Sequence, residues 1–280
     1  MNWTKLEEQH LKLINKGERE TRLRLAKFFK DLERMIERGS SNRVIENWVK
    51  KELNKLDKSL NVQLEKNIKV AVDTANLTAT KLIRERAGNN IELFKKYELS
   101  PNIWKNTTDL LAPIREALNT GESAKDLAKN LLSNLEENRH GRGIYKDPIK
   151  NAMRVARTEI NQAYRTADSH NWAKIDFVIG KEIRLSNSPK KMARCEICRS
   201  LTGKYPSDFD WRGWHIQCMC HQIPIQVSDD EFFKMQEDPL YKPELIGVPK
   251  NFTDFVKNQG YRFANYKTKP YWLDYKFKKD

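Results

Sequence analysis

Two long stretches near the start of the chain carry apolar residues at the spacing of an α-helix. The first extends from about Thr4 to Arg38 and the second from about Arg43 to Arg86. Between them, Gly39-Ser40-Ser41-Asn42 predicts a helix stop followed by a new N-cap. The apolar positions of the second stretch mix steps of four and three, as in the seam of paired helices; they are Val49, Leu53, Leu56, Leu60, Leu64, Ile68 and Val72. The pattern therefore predicts a helical hairpin or bundle.

The middle of the chain predicts shorter helices and a joint. Helices are expected around Thr107–Asn119 and Ser123–Leu135, because a Gly stop and a Ser N-cap separate these segments. The glycines of His140–Gly143 predict a flexible connection. Pro148 then opens a helix that is expected to reach about Lys174, since proline is well tolerated in the first helical turn.

After this helix the apolar period changes to that of β-strands. Residues 177–179 and 182–185 predict two short strands, joined by a tight hairpin turn at Gly180-Lys181. A further strand is expected at Ile223–Val227. Pro224 places that strand at a sheet edge, because proline cannot donate a ladder hydrogen bond.

The last fifty residues are expected to contain little regular structure. Asp229–Gln236 predicts one helix, but from Pro239 onward prolines and aromatic residues dominate. The fold class predicted is α+β and mainly α: a helical region (1–119), a small α+β domain with a zinc knuckle (120–227) and an irregular aromatic and basic arm (228–280).

Composition and charge suit an elongated helical protein with a polyanionic partner. Charged residues make up 32% of the 280 positions, and the mean hydropathy is −0.79. Lys and Arg exceed Asp and Glu by 52 − 38, or +14. This excess favours nucleic acid as a partner, although it is equally explained by solubility alone. Seven Trp argue against a wholly disordered chain.

Several common classes of protein lack their sequence signals here. The chain has no phosphate-binding Gly loop, no Gly-x-Ser-x-Gly elbow and no His-Glu-x-x-His segment. Its charged start lacks the apolar core of a signal peptide, and no segment approaches the ~20 apolar residues of a membrane span. We therefore expect synthesis in a reducing cytoplasm, where cysteines are more often metal ligands than disulfides.

All four cysteines lie within the 26 positions from 195 to 220; of the five histidines, His215 lies within this stretch and His221 directly follows it. Cys195-x-x-Cys198 places two thiolates on one tight turn, at the bite that tetrahedral zinc requires. His215-x-x-Cys218 offers a second turn of the same pitch, and the 16-residue spacer is long enough to fold back. Free buried thiols and a disulfide are the alternatives. The spacing favours zinc.

The fourth zinc ligand is left open between His215 and Cys220. Residues two apart in an extended chain point to the same side, so Cys218 and Cys220 could both face the ion, although chelation by such close neighbours is strained. We favour His215, with Cys220 packed beside the site and His221 outside the ligand shell.

The predicted zinc is structural rather than catalytic. A catalytic ion keeps an open position and usually has a carboxylate nearby as a base. Glu196 lies within the knuckle but is expected to face solvent. Arg157, Glu159 and Asn161, on the preceding helix, are polar enough for catalysis but equally suited to orienting that helix. No convincing catalytic constellation is present.

Four segments, in this order, resemble the minor head proteins of the phage Mu protein F-like family. That family carries an "ARTE-N-A" helix, a "C-x-x-C-x-x-L-D-G" turn and an "H-P-N-C-R-C" closing stretch. The matching segments are Gly121–Leu131, Arg154–Tyr164, Cys195–Lys204 and His215–Cys220. The resemblance spans about 120–227. Ile216 replaces the usual Pro, Met219 the usual Arg and Thr202 the common Asp, and none of these changes removes a candidate ligand.

The resemblance implies a role in tailed-phage head morphogenesis. The expected partners are the portal protein and/or the major capsid protein, with non-specific contact to double-stranded DNA, and with no membrane and no small-molecule substrate. The expected location is the phage head or procapsid, after assembly in the host cytoplasm. The aromatic and basic tail is expected to dock on a partner, with DNA contact second. The alternatives are a zinc-dependent nuclease or DNA-processing enzyme and a sequence-independent DNA-binding protein.

Overall fold

The computed structural model describes residues 3–99, 103–104, 114, 148–186, 195–263, 266, 269–273 and 275. Within these residues the chain forms six α-helices, three strands and one 3₁₀-helix. They are α1 (Trp3–Glu37), α2 (Asn42–Glu85), α3 (Pro148–Trp172), β1 (Val178–Arg184), α4 (Glu196–Leu201), β2 (Gly203–Pro206), β3 (His221–Gln226), α5 (Asp229–Glu237), α6 (Lys250–Gln259) and the 3₁₀-helix Gly260–Phe263. The predicted class, mainly helical with a small sheet, is confirmed.

Helix positions follow the sequence pattern closely. The first two long helices begin and end within one residue of the predicted bounds, and α3 begins at Pro148 as expected. The predicted last helix is α5, whose N-cap Ser228 exchanges hydrogen bonds with Glu231 in a capping box. The predicted helices at Thr107–Asn119 and Ser123–Leu135, and the joint at His140–Gly143, lie outside the described residues.

The sheet is antiparallel with the order β2-β1-β3. β3 lies at an edge, as its Pro224 predicts. The hairpin predicted at Gly180-Lys181 is wrong, because β1 continues through both residues and pairs on both sides. Lys181 is fully buried at the centre of the sheet, where its Nζ donates to the Phe209 carbonyl at 2.6 Å. Burial lowers the pKa of Lys181 to about 7.

The prediction that regular structure ends at Pro239 is also wrong. Helix α6 and the following 3₁₀-helix form in this region, and several of their aromatic side chains are buried. Those side chains are Phe252, Phe255 and Phe263, and the more distant Trp272 is fully buried with them. These aromatic residues therefore belong to the protein's own core, and not to an arm free to dock elsewhere.

The chain divides into two compact units, each built from separated segments. The cysteine unit comprises Met1–His10, Lys69–Tyr97 and Asn161–Asp280, and the helical unit comprises Leu11–Ile68 and Glu98–Ile160. The three consecutive domains inferred from the sequence stay a prediction. Among the described residues, no helix combines the length and apolarity that a membrane span requires.

The helical unit contains an antiparallel pairing of α1 with α2. Glu20 of α1 accepts hydrogen bonds from Gln63 and Asn67, and further along Phe28 stacks on Trp48 at 5.5 Å. The partner numbers fall as those of α1 rise, which is the signature of antiparallel helices. Gly17 allows close contact with α3, because a Cβ there would lie 2.3 Å from the Ile160 side chain.

The cysteine unit has an aromatic core that surrounds its buried thiols. The buried members of this core are Ile183, Cys198, Leu201, Tyr205, Phe209, Trp211, Trp214, Cys218, Cys220, Phe252, Phe255, Phe263 and Trp272. The Trp272 indole N–H donates to the Trp214 carbonyl at 2.8 Å, which satisfies one polar group in this apolar setting. Strands β1 and β2, helix α4, the loop between β2 and β3, and helix α6 with the 3₁₀-helix that follows it all contribute to this cluster.

Candidate metal centre

The first pair of thiols lies on one helical turn. Cys195 is the N-cap of α4, and its Sγ accepts from the Cys198 amide at 3.5 Å. Cys198 is buried and Cys195 is partly exposed. The Cys-x-x-Cys spacing therefore folds as predicted into a turn that presents two sulfur atoms.

The second turn is closed by the backbone of His215–Cys218. The Cys218 amide donates to the His215 carbonyl at 3.1 Å, and Gln217 within this turn has a φ of 61°. A left-handed backbone is uncommon for a non-glycine residue and permits a tight reversal. Nearby Gly213 has a φ of 117°, and a Cβ there would lie 2.5 Å from Arg165 Nη1.

The two turns bring sulfur and nitrogen donors together at distances suited to one metal ion. Cys198 Sγ lies 3.8 Å from Cys218 Sγ, and His215 Nε2 lies 3.2 Å from Cys195 Sγ and 3.1 Å from Cys198 Sγ. A zinc–sulfur bond of about 2.3 Å gives a tetrahedral edge of about 3.8 Å between two sulfurs. The sulfur–sulfur distance thus matches that edge, while the nitrogen lies slightly closer.

All five predicted donors enter two overlapping groups, which we call the cysteine cluster. One group is Cys195, Cys198 and His215, and the other is Cys198, Cys218 and Cys220. The donor atoms within each group lie within 4.8 Å of one another. Cys198 belongs to both groups. The cluster could therefore hold a metal ion, and Cys198 is the candidate ligand that the two groups share.

The imidazole of His215 is oriented for metal binding. Its Nδ1 lies 2.7 Å from the Ile216 carbonyl, so Nδ1 carries the proton and donates to that oxygen. Nε2 is then left with a lone pair that faces the sulfurs of Cys195 and Cys198. A histidine ligand is commonly fixed in this way, by a hydrogen bond from its other ring nitrogen.

The pKa values of the buried thiols Cys198 and Cys218 are shifted in opposite directions. Burial opposes ionisation of Cys218, but hydrogen bonds from Cys198 and Cys220, together with the positive charge of Arg165, hold the pKa of Cys218 well below its usual value. The pKa of Cys198 is raised because its thiol donates to Cys218. A metal ion would replace the remaining thiol protons, since thiolates are the ligating form.

Arg165 is the functional residue that the sequence interpretation missed. Its buried guanidinium donates to the carbonyls of Cys218 at 2.7 Å and Cys220 at 2.6 Å, and to the Arg212 carbonyl at 3.2 Å. It also lies over the Trp211 ring, 4.6 Å from its centroid. Arg165 thus fixes the backbone of the second turn while placing a positive charge beside the thiols.

A sequence signal for Arg165 exists in the polar residues of α3 at steps of four. Asn161 lies 3.7 Å from the Met219 sulfur, and Ser169 contacts the Trp211 carbonyl and the Gln222 side chain. Asn161, Arg165 and Ser169 share one helix face because residues four apart are neighbours on a helix. This face anchors the strand and turn that carry Cys218 and Cys220.

Replacing Arg165 is expected to weaken the cluster. Arg165→Gln leaves two buried carbonyls and one part-buried carbonyl without their donor and removes a charge, which should destabilise the cysteine unit by about 3 kcal/mol. Zinc affinity, measured by competition with a chelator, should fall roughly 10- to 100-fold. Arg165→Lys should recover the charge but only part of the affinity, because an ammonium lacks the planar fork. If the zinc affinity of Arg165→Gln is unchanged, the hydrogen bonds from Arg165 to the second turn have no part in metal binding.

The polar residues considered for catalysis lie outside the cysteine cluster. Glu196 is exposed, and its carboxylate lies 3.4 Å from Arg262. His221 Nδ1 lies 3.3 Å from Glu7 Oε1 rather than within the cluster. Arg157 forms an ion pair with Glu18 in the helical unit. Among the described residues, no carboxylate joins the donor groups.

A small cavity of about 20 Å³ lies in the cysteine unit, lined by residues that include His10, Tyr164 and Asp168. The His10 and Tyr164 rings stack with centroids 4.0 Å apart, and burial lowers the pKa of His10 to about 3. Burial raises the pKa of Asp168 well above its usual value. Both shifts favour the uncharged forms. A cavity of this size has room for roughly one water molecule, not for an organic substrate.

Comparison with known proteins adds no assignment. No family model, no curated protein and no solved structure matches this chain. The resemblance to the phage head proteins therefore rests on the motif residues of this chain alone.

Proposed function

We propose that the cysteine cluster binds one zinc ion through Cys195, Cys198, Cys218 and His215. The observation that carries this proposal is the 3.8 Å separation of Cys198 and Cys218 beside an imidazole whose Nε2 lone pair faces two sulfurs. Three thiolates and one neutral histidine form a common structural zinc shell. Cys220 is buried against Cys198 and Cys218 and is the alternative fourth ligand.

The zinc ion has a structural role in this proposal. When bound, it neutralises thiolate charge and cross-links two turns that are separated by 16 residues of sequence. Five donors are more than enough to close a tetrahedral shell, and a closed shell has no open position for substrate. Glu196, the acidic residue within the knuckle, faces solvent and Arg262. These features support a structural zinc site and give no support to a nuclease.

We further propose that the chain is a minor head protein that assembles with the portal of a tailed phage. Support comes from contacts among three of the four motif segments, made by residues of the cysteine unit; the segment Gly121–Leu131 lies outside the described residues. Asn161, in the "ARTE-N-A"-like helix, contacts Met219 in the closing stretch, and the closing stretch meets the Cys-x-x-Cys turn at Cys198. Convergence of this kind is expected if the segments are parts of one domain.

Co-expression with the portal, scaffold and coat proteins encoded in the same genome would test the assembly role. We expect the chain to co-sediment with portal-containing procapsids and to be absent from particles assembled without portal. Glu196→Gln should behave as the wild type, because its carboxylate has no assigned role. Failure to enter any particle, or metal-dependent plasmid cleavage that Glu196→Gln abolishes, would overturn the proposal in favour of an enzyme.

A further inference from the structure

The exposed charges of α1 have one sign over most of its length. From Lys12 to Arg34, every exposed charged side chain is a cation. These cations are Lys12, Lys16, Arg19, Arg22, Lys27, Lys30 and Arg34. With the exception of Arg34, which pairs with Asp31 at 3.0 Å, none has an ion-pair partner within the part of the chain that the structure describes.

Of the four acidic residues in the same segment, two face partners within the helical unit. Glu18 is buried against Arg157, and Glu20 accepts hydrogen bonds from Gln63 and Asn67 of α2. Asp31 and Glu33 are only partly exposed. Glu18 and Glu20 therefore face neighbouring helices, whereas the seven exposed cations face solvent.

Six of these cations lie along one face of α1, in two groups of three that are separated by eight residue steps. We call them the basic stripe: Lys12, Lys16, Arg19, Lys27, Lys30 and Arg34. At 3.6 residues per turn they fall within an arc of about 80°. The stripe spans 22 residue steps, or about 33 Å at a rise of ~1.5 Å per residue. One turn of B-form DNA has nearly the same length, about 34 Å.

We propose that the basic stripe binds the phosphate backbone of double-stranded DNA without sequence preference. A row of long cationic side chains along one face of a helix complements the phosphates that line a B-DNA groove. Single-stranded nucleic acid is disfavoured, because the stripe contains no aromatic side chain on which bases could stack. A membrane surface is disfavoured as well, since Leu23 is the one large apolar residue exposed on α1 among the described positions.

Binding of the full-length protein to a fluorescein-labelled 20-base-pair DNA duplex, followed by anisotropy at several salt concentrations, tests this assignment. Five phosphate contacts, one for each stripe cation other than Arg34, which pairs with Asp31, would give a slope of log K against log salt of about −4.5. The triple variant Lys16→Gln, Lys27→Gln, Lys30→Gln should reduce that slope by about 2.7 and weaken binding at least tenfold near 0.1 M salt. Circular dichroism should show an unchanged helix content, because all three side chains are exposed.

A matched control separates the stripe from net charge. Lys242, Lys250 and Lys257 are exposed lysines of the cysteine unit, and their triple change to Gln lowers the net charge by the same amount. We expect this control to bind DNA within about twofold of the wild type. Equal losses in the two triples, binding that salt does not weaken, or equally tight binding to phosphatidylserine vesicles would overturn the proposal. No stripe residue belongs to the cysteine cluster, so this test is independent of zinc.

Discussion

Replacing Cys198 by Ser is expected to abolish zinc binding and unfold the cysteine unit. Wild-type protein, purified under reducing conditions, should carry about one zinc per chain, and Cys198→Ser should carry almost none. Cys198 is common to both donor groups, so its loss leaves neither group with three donors. Because the free energy of structural zinc binding, roughly 10–16 kcal/mol, acts as folding free energy, the variant should lose near-ultraviolet circular dichroism from the surrounding tryptophans. Metal analysis and circular dichroism measure both effects.

Two further variants determine the fourth ligand. His215→Ala should reduce zinc content as severely as Cys198→Ser, whereas Cys220→Ser should retain zinc if Cys220 only packs beside the site. The reverse result would assign Cys220 in place of His215. The metal proposal itself fails if reduced wild-type protein is metal-free and retains its fold after all four cysteines are changed to serine.

Replacing Trp272 by Ala is expected to destabilise the protein by about 3–5 kcal/mol, the range for truncating a buried aromatic side chain. Trp272 is fully buried and packs on Trp214, Phe252 and Phe263. The change also removes the indole N–H that donates to the Trp214 carbonyl. Urea unfolding, followed by far-ultraviolet circular dichroism, measures the free energy of unfolding.

An exposed aromatic residue of the same segment provides the control for Trp272. Tyr261 has 73% of its surface exposed, so Tyr261→Ala should change the free energy of unfolding by less than about 0.5 kcal/mol. If Trp272→Ala is equally neutral, the aromatic tail is not part of the core. The tail would then be a docking arm, as the sequence alone suggested.

Local patterns predicted the long helices well. Helix spacing is repeated over many turns, and the stop at Gly39 and the start at Pro148 are encoded within a few residues. The Cys195-x-x-Cys198 turn was predictable for the same reason. In each case the signal and the structure that it specifies lie within one short segment, so no distant contact is needed to decide the outcome.

Longer-range pairing overruled local patterns in the sheet. Gly180-Lys181 has the composition of a tight turn, but the neighbouring strands β2 and β3 form hydrogen bonds with both sides of β1 at this point. The Phe209 carbonyl accepts a hydrogen bond from the buried Nζ of Lys181. β2 is only four residues long, and its sequence Gly-Lys-Tyr-Pro shows no apolar alternation. Helix α6 begins after Pro249, and its buried Phe252 and Phe255 gain stability from the aromatic core.

The sequence by itself determined the helical scaffold, the two turns and the five candidate donors, because spacing along the chain specifies all of these. Only the tertiary structure decided which atoms meet: that Arg165 clamps the carbonyls of Cys218 and Cys220, and that Glu18 and Glu20 turn inward while the basic stripe faces solvent. Such choices depend on the burial of charged groups against partners distant in sequence. Burial of a charged group is favourable only when it is paired and hydrogen-bonded. Because these partners are distant in sequence, only the folded structure shows which residue is paired with which.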